Sequence, residues 1–235
     1  MPGPKENPRN LLTSLILVFP LFVIYQIGVL FTLPMLNGAD FVTVLLFRTL
    51  GLSLRGYLAV LGAVVALFAL TVVLLRRRQS FNRGVLLPVL LESTVWAVTM
   101  GSLIVLIMTK LLGFSPGLAA GIEGQGLLTR LVMSLGAGVY EETVFRLGLL
   151  TGLGLLFERV FRMVHWAALL AALLISSALF SAVHHLPPYG DPFAIEPFTF
   201  RLLAGLFFGA LYKWRGFAVA VYTHAFYDIF VLVVR

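Results

Sequence analysis

The sequence has little charge for its length. Of its 235 residues, 11% are Asp, Glu, Lys or Arg, whereas 60% are hydrophobic and the mean hydropathy is +1.02. A soluble domain is about one-quarter charged and about half apolar. The apolar residues also form repeated runs of about eighteen residues or more, which is the length that crosses a bilayer as a helix. The sequence therefore predicts a helical membrane protein with the lipid bilayer as its surroundings, and it excludes an ordinary soluble domain.

Cysteine is absent, which excludes disulfides, thiolate metal sites and cysteine nucleophiles together. The net charge of +7 does not indicate nucleic-acid binding, because the basic residues flank the apolar segments and form no basic face with interleaved aromatics. We therefore expect no nucleic-acid partner.

The apolar segments predict an all-α polytopic transmembrane helical bundle, formed as a single transmembrane domain over residues 1–235. The expected spans number about seven: 11–33, 56–75, 86–109, 127–156, 164–186, 200–212 and 216–234. Residues 41–52 are apolar but short and carry Arg48, which predicts a re-entrant or interfacial helix. The first run follows Lys5 and Arg9 and has no small-residue cleavage site after it, so it is interpreted as a retained helix.

Charged residues between the spans predict an orientation. Ten of the 17 basic residues lie in four segments, which are the N-terminal tail and residues 76–85, 159–162 and 213–215. If these segments are cytoplasmic, the N-terminus lies inside, and the C-terminus and the acidic, proline-rich loop at 187–197 lie outside.

One apolar run contains three ionisable residues, Glu141, Glu142 and Arg146. A charge near the bilayer centre costs about 3 kcal/mol, so each of them requires a physical reason. Glu142 and Arg146 are spaced i, i+4 with the acid first, which favours an ion pair. Glu141 projects about 100° away and gains no such partner, so it is a candidate general base. The alternative interpretation is a buried salt bridge that only fixes helix packing.

Histidines follow on two later segments. His184 and His185 end the fifth segment just before two prolines, and His224 is spaced i, i+4 from Asp228 in the last one. Asp228 could hold the imidazole of His224 in one orientation, as a carboxylate does in metal sites and catalytic triads. Alternatively, the two residues form a mutually satisfied polar contact.

The runs EETVFR, FSAVH and HAFYD, within residues 135–230, resemble the motifs EExxxR, FxxxH and HxxxN/D of the CPBP family of intramembrane endopeptidases. That family includes CAAX proteases, myxosortase-like members and Abi-type bacteriocin-immunity proteins. The resemblance implies an intramembrane protease of the bacterial inner membrane that acts on a membrane-borne peptide or protein. It also implies six catalytic residues: Glu141, Glu142, Arg146, His184, His224 and Asp228.

The resemblance assigns a role to each motif. Glu141 would activate a water, and His184, which the FxxxH spacing selects over His185, would help to bind it. Glu142 and Arg146 would pair to hold the glutamate helix and the substrate. His224 with Asp228 would stabilise the oxyanion. Asparagine is common at the last position, and because an ionised aspartate cannot donate, Asp228 is expected either to orient His224 or to stay protonated.

Metal dependence is open in this family. Glu141, His184 and His224 could supply a Zn²⁺ shell, although the HExxH spacing is absent, and we favour a mechanism that needs no cofactor.

An outward-facing site would suit removal of C-terminal tags from exported proteins. Two other functions fit the same residues. One is a non-catalytic scaffold or bacteriocin-immunity factor, and the other is an ion-coupled transporter, for which the sequence shows no paired halves with broken helices.

Overall fold

The structure is a computed structural model, and it describes residues 10–32, 37, 39–40, 53–81, 83–114, 125–186 and 191–234. These residues form helices and connecting turns, with no strand among them. The re-entrant or interfacial helix predicted at residues 41–52 lies outside the described residues.

Seven helices follow one another along the described chain, and their bounds agree with the predicted spans to within a few residues at most ends. They are α1 (Leu11–Thr32), α2 (Leu54–Arg76), α3 (Arg83–Leu111), α4 (residues 127–159), α5 (His165–Val183), α6 (Ile195–Arg215) and α7 (residues 217–234). Five of them, α1, α2, α3, α5 and α6, are long and apolar enough to cross a membrane. The prediction of an all-α, polytopic membrane protein is therefore confirmed.

The sixth span is longer than the sequence predicted. It was expected over 200–212, whereas α6 covers 21 residues and begins at Ile195. Pro197 lies in its first turn, where the backbone N–H has no partner within the helix, so proline does not interrupt it. The helix ends at Gly216, whose φ of 98° favours glycine, and α7 begins at the next residue. This single glycine turns the chain from α6 into α7.

Helix α7 lies at the centre of the bundle. Nine consecutive residues from Phe217 to Ala225 are buried, and the helix packs against α1, α3, α4 and α6. A helix buried on all sides belongs to the core. Its approach to α4 depends on Gly138, because a Cβ there would lie 2.7 Å from the carbonyl oxygen of Val221. Small residues allow such close backbone contact in membranes, and this contact brings the motif on α4 beside the motif on α7.

The outer surface of the bundle is apolar. Large hydrophobic side chains are exposed on several helices, including Phe31 (74%), Leu67 (64%) and Leu91 (61%). Helix α2 packs mainly against α1 and buries one residue, Tyr57, so more than half of its residues are exposed. Such a surface would be an interaction site or an aggregation liability in water, whereas lipid tails solvate it at no such cost.

Helix α4 changes its hydrogen bonding where its charged residues lie. The backbone is π-helical over Ala137–Glu141 and again over Thr143–Leu150, on either side of Glu142. Short π-helical turns inside α-helices occur frequently at functional sites, because they shift side chains away from the regular helical positions. Here Glu141 and Arg146 lie in the two π-helical segments, Glu142 lies between them, and all three side chains are buried in the bundle.

Candidate active site

Helices α4, α5 and α7 bring the six residues singled out in the sequence to one region of the interior. Glu142 is 0% exposed, Arg146 1%, His224 5% and Glu141 7%. His184 lies immediately after α5 and Asp228 lies on α7. Four of the six are thus almost fully removed from solvent. In such a buried position, a charge persists only if it is paired or hydrogen-bonded.

Glu142 is the centre of these contacts. Its Oε1 accepts a hydrogen bond from Nδ1 of His224 at 2.8 Å, and its Oε2 lies 3.2 Å from Nε of Arg146. The i, i+4 ion pair expected from the sequence is therefore present. Glu142 joins two helices, because it contacts a cation on its own helix and an imidazole on α7.

Arg146 lies between two aromatic rings. Its guanidinium carbon is 4.4 Å from the ring centre of Phe180 and 5.4 Å from that of Phe208, and Nη2 donates to the carbonyl of Gly205 at 3.4 Å. Phe208 also stacks on His224, with ring centres 4.4 Å apart and an angle of 18° between the planes. A cation over aromatic faces is stabilised by the ring quadrupoles. Phe208 therefore links Arg146 to His224, a role that nothing in its apolar surroundings indicated in the sequence.

His184 directs one ring nitrogen at Glu141. Its Nδ1 lies 2.7 Å from the carbonyl oxygen of Phe180, which can only accept, so we assign the proton to Nδ1. The lone pair is then on Nε2, which lies 3.7 Å from Oε2 of Glu141. His184 follows the last residue of α5, and burial lowers the pKa of its imidazole. The ring is therefore neutral at neutral pH and can accept a hydrogen bond at Nε2.

His224 faces the same carboxylate oxygen from the other helix. Its Nε2 lies 3.8 Å from Oε2 of Glu141 and 3.8 Å from Oδ2 of Asp228. Both distances exceed that of a hydrogen bond. The contact that fixes the ring is the one between Nδ1 and Glu142, not the expected contact with Asp228, because α4 brings a nearer carboxylate than the i+4 residue of α7 itself.

His185 points away from this cluster. Its Nδ1 donates to the backbone carbonyl of Asp191 at 3.2 Å, and its ring packs against Phe193 and Phe198. Asp191 is in turn held by Arg201 at 2.5 Å. Of the two adjacent histidines, His184 is therefore the one that faces Glu141, as the FxxxH spacing indicated.

Residues 123–230 match the family model described as Rce1-like, type II CAAX prenyl endopeptidase Rce1-like. The match covers 108 of the 235 residues and agrees with the family expected from the three motifs. The matched residues are called the Rce1-like domain, and their similarity to a protease family supports an intramembrane protease. No curated protein and no solved structure matches the chain.

One contact reaches this Rce1-like domain from outside the matched residues. Nδ2 of Asn37, which follows α1, donates to Oε1 of Glu141 at 2.9 Å, and Asn37 is 8% exposed. No pattern in the sequence predicts this contact, because a lone asparagine 104 residues before the motif belongs to no motif of its own. Glu141 thus receives its hydrogen bond from the N-terminal part of the chain.

Whether the Rce1-like domain could bind Zn²⁺ depends on the type of its donor atoms and on the distances between them. Glu141 Oε2 and the Nε2 atoms of His184 and His224 are of the right type, but Oε2 lies 3.7 and 3.8 Å from the two nitrogens. With bonds of about 2.0–2.1 Å, tetrahedral zinc brings its donors to about 3.4 Å from one another. Among the described residues, no group of three or more His, Cys, Asp or Glu side chains has the geometry to hold a metal ion. The donor distances at Glu141 are thus longer than those of a tetrahedral zinc site.

Proposed function

We propose that this protein is an intramembrane endopeptidase in which Glu141 activates a water molecule. One observation carries the proposal. The Nε2 atoms of His184 and His224 approach a single oxygen of Glu141, Oε2, at 3.7 and 3.8 Å, inside a buried site. A carboxylate with two imidazoles beside one of its oxygens, away from bulk solvent, is an arrangement suited to moving protons during hydrolysis.

The first step is attack by water. A water about 2.8 Å from both Oε2 of Glu141 and Nε2 of His184 fits the spacing between these atoms. Glu141 takes one proton from this water while the neutral Nε2 of His184 accepts a hydrogen bond from its other proton. The water oxygen then forms a bond to the carbonyl carbon of the scissile peptide, whose π electrons move to the carbonyl oxygen.

His224 stabilises the resulting oxyanion. Glu142 accepts a hydrogen bond from Nδ1 of His224, and the carboxylates of Glu141 and Asp228 both lie 3.8 Å from its Nε2. Because three carboxylates surround the ring, we assign the protonated form to it. Its Nε2–H then donates to the oxyanion, an interaction worth about 3–4 kcal/mol in hydrolases. Arg146 and the protonated His224 offset two of the three negative charges in the site.

The last step releases the products. The oxyanion re-forms the carbonyl, the C–N bond breaks, and protonated Glu141 returns its proton to the leaving nitrogen. The carboxylate is thereby restored with no net change in protons. One residue serves first as a base and then as an acid, as general acid–base catalysis allows when one group lies close to both atoms.

The substrate is proposed to be a membrane-borne peptide with an apolar group close to the scissile bond. A cavity of about 190 Å³ lies between α1, α2 and α4, and its lining includes Tyr140, the residue before Glu141. Its lining is almost entirely apolar and includes Phe22, Tyr57, Val139 and Tyr140. Such a cavity suits an apolar side chain or lipid group. The family description refers to CAAX prenyl substrates, and C-terminal processing of a membrane-attached protein is the use that we propose here.

The test is cleavage of two probes by purified protein in liposomes, followed by mass spectrometry of the products. One probe is a farnesylated peptide ending in a CAAX sequence, and the other ends in an apolar helical tag. Glu141→Gln is expected to lower kcat by about 10²–10⁴-fold, the usual contribution of general acid–base catalysis. Glu158→Gln, which removes a carboxylate at the far end of α4, is the matched control and should retain activity.

Each outcome separates one alternative. If Glu141→Gln loses activity and the wild type keeps its activity in a zinc chelator, the glutamate mechanism is supported. If the chelator also abolishes cleavage by the wild type, the mechanism depends on a metal. Cleavage by Glu141→Gln at the wild-type rate would show that the base is wrongly assigned. Binding of a probe without cleavage by the wild type would favour the non-catalytic scaffold.

A further inference from the structure

We propose that Asn37 is a positioning residue for Glu141, and that the active site is therefore completed by a segment outside the Rce1-like domain. The proposal rests on the role given to Glu141 above. Asn37 follows α1, whereas the family match begins at residue 123. The contact between Asn37 Nδ2 and Glu141 Oε1, at 2.9 Å, joins these two parts of the chain within the buried site.

The contact selects which oxygen of Glu141 works. A carboxylate has two equivalent oxygens and rotates easily about its last side-chain bond. Because Asn37 holds Oε1, the oxygen that remains towards His184 and His224 is Oε2. Orientation of a reacting group in this way is a large part of catalysis, and a misplacement of about 1 Å costs about 10²-fold.

Asn37 is itself fixed by its surroundings. Its Oδ1 accepts from the backbone N–H of Ala39 at 2.8 Å, and its own backbone N–H donates to Oη of Tyr25 at 3.3 Å. The hydroxyl of Tyr25 donates in turn to Oδ2 of Asp40 at 3.0 Å. Since a backbone N–H only donates, the oxygen of the Asn37 amide must face Ala39, and the NH₂ group must face Glu141. The donor to Glu141 is thus set by the network and not by an arbitrary choice of amide orientation.

Helix α4 has the space that this network needs. Gly136 lies against it, and a Cβ at that position would be 2.3 Å from Cε2 of Tyr25 and 3.1 Å from Cβ of Asn37. Tyr25 is 0% exposed, so its ring cannot move out of the way into solvent. Any residue larger than glycine would push the network away from α4.

The two adjacent glutamates receive different kinds of partner. Glu142 is paired with a cation, Arg146, whereas the hydrogen-bond partner of Oε1 of Glu141 is the neutral amide of Asn37. A neutral amide can fix the orientation of a carboxylate by donating to one oxygen, and it adds no charge beside that oxygen. This difference favours a catalytic use of the contact over a purely structural one.

The kinetic test compares Asn37→Ala with Ser93→Ala, using whichever of the two probes the wild type cleaves. Ser93 is buried and donates to the carbonyl of Val219, so its substitution also removes a buried hydrogen bond, but away from Glu141. We expect Asn37→Ala to lower kcat by about 10–100-fold, the usual effect of removing a group that orients a reacting side chain, with KM changed by less than about 2-fold. Ser93→Ala should leave both constants within about 2-fold. A wild-type kcat in folded Asn37→Ala, or a loss confined to KM, would overturn the proposal.

A second measurement needs no substrate. In a double-mutant cycle, the midpoint temperature of unfolding is measured for Asn37→Ala, Glu141→Leu and the double variant in detergent. If the two side chains interact, the decrease caused by Asn37→Ala should be at least halved in the Glu141→Leu background. Additive decreases would overturn the contact itself. A wild type that cleaves neither probe would count against the proposed function, and the cycle would still decide whether Asn37 and Glu141 are coupled.

Discussion

Removal of the Arg146 side-chain charge should destabilise the whole bundle. Arg146 and Glu142 are 1% and 0% exposed, and their side chains approach to 3.2 Å. Arg146→Met keeps most of the apolar volume between Phe180 and Phe208, so the change isolates the charge. It leaves Glu142 buried without the cation of its own helix, and removing one partner of a buried ion pair costs about 3–5 kcal/mol. The unfolding equilibrium should shift by about 10²–10⁴-fold.

Equilibrium unfolding in mixed detergent micelles, followed by tryptophan fluorescence, measures this change. Trp96 and Trp214 report on it, because their rings pack 5.9 Å apart between α3 and α6. Arg146→Lys is the matched variant: it keeps the positive charge but loses the planar group that lies over the two rings, so it should cost about 1–2 kcal/mol.

The double variant Glu142→Gln/Arg146→Met decides whether the pair is the cause. It carries no unpaired charge at these positions, so its loss of stability should be smaller than the sum of the two single losses by about 2 kcal/mol or more. A loss below about 1 kcal/mol in Arg146→Met, or strict additivity of the two changes, would refute this reasoning.

Two further predictions follow from the packing and from the outer surface. Gly138→Ala places a Cβ 2.7 Å from a backbone oxygen of α7, so it should lower the midpoint temperature of unfolding and reduce cleavage, whereas Gly152→Ala meets nothing within 4 Å and should be tolerated. Normal cleavage by Gly138→Ala would show that α4 and α7 need not touch. In this cysteine-free chain, a water-soluble maleimide should label Arg78→Cys, just past the end of α2, and spare the lipid-facing Leu67→Cys in liposomes. Equal labelling at the two positions would contradict the membrane placement of α2.

The helices were predictable because burial in lipid needs long apolar runs, and these runs are visible in the sequence. The largest error was in α6, where Glu196 and Pro197 were assigned to the loop before the span. Both lie in the first turn of the helix, which tolerates proline, and Arg201 in the next turn is paired with Asp191 of the preceding loop. The spacing of residues along one segment does not show which of its charged side chains will form ion pairs with residues of a neighbouring loop.

The candidate site was predictable only where its residues form motifs. The ion pair of Glu142 and Arg146 follows from i, i+4 spacing, since both residues lie on one helix. The hydrogen bond between His224 and Glu142 does not, because it joins residues 82 positions apart on different helices. Asn37 and Phe208 were missed for the same reason: each acts through a tertiary contact, and neither has a residue type or spacing that marks it in the sequence.

The central position of α7 has a consequence for biosynthesis. This helix is translated after α1 to α6, yet four of them, α1, α3, α4 and α6, pack directly around it. A nascent chain that has not reached His224 leaves Glu142 without its imidazole donor and leaves the inner faces of α1, α3 and α4 without the helix that fills them. The proposed hydrolysis can therefore begin only after translation has passed α7. The growing chain is therefore inactive while its own helices are still entering the membrane, so the order of synthesis delays activity as a removable pro-segment does in other proteases.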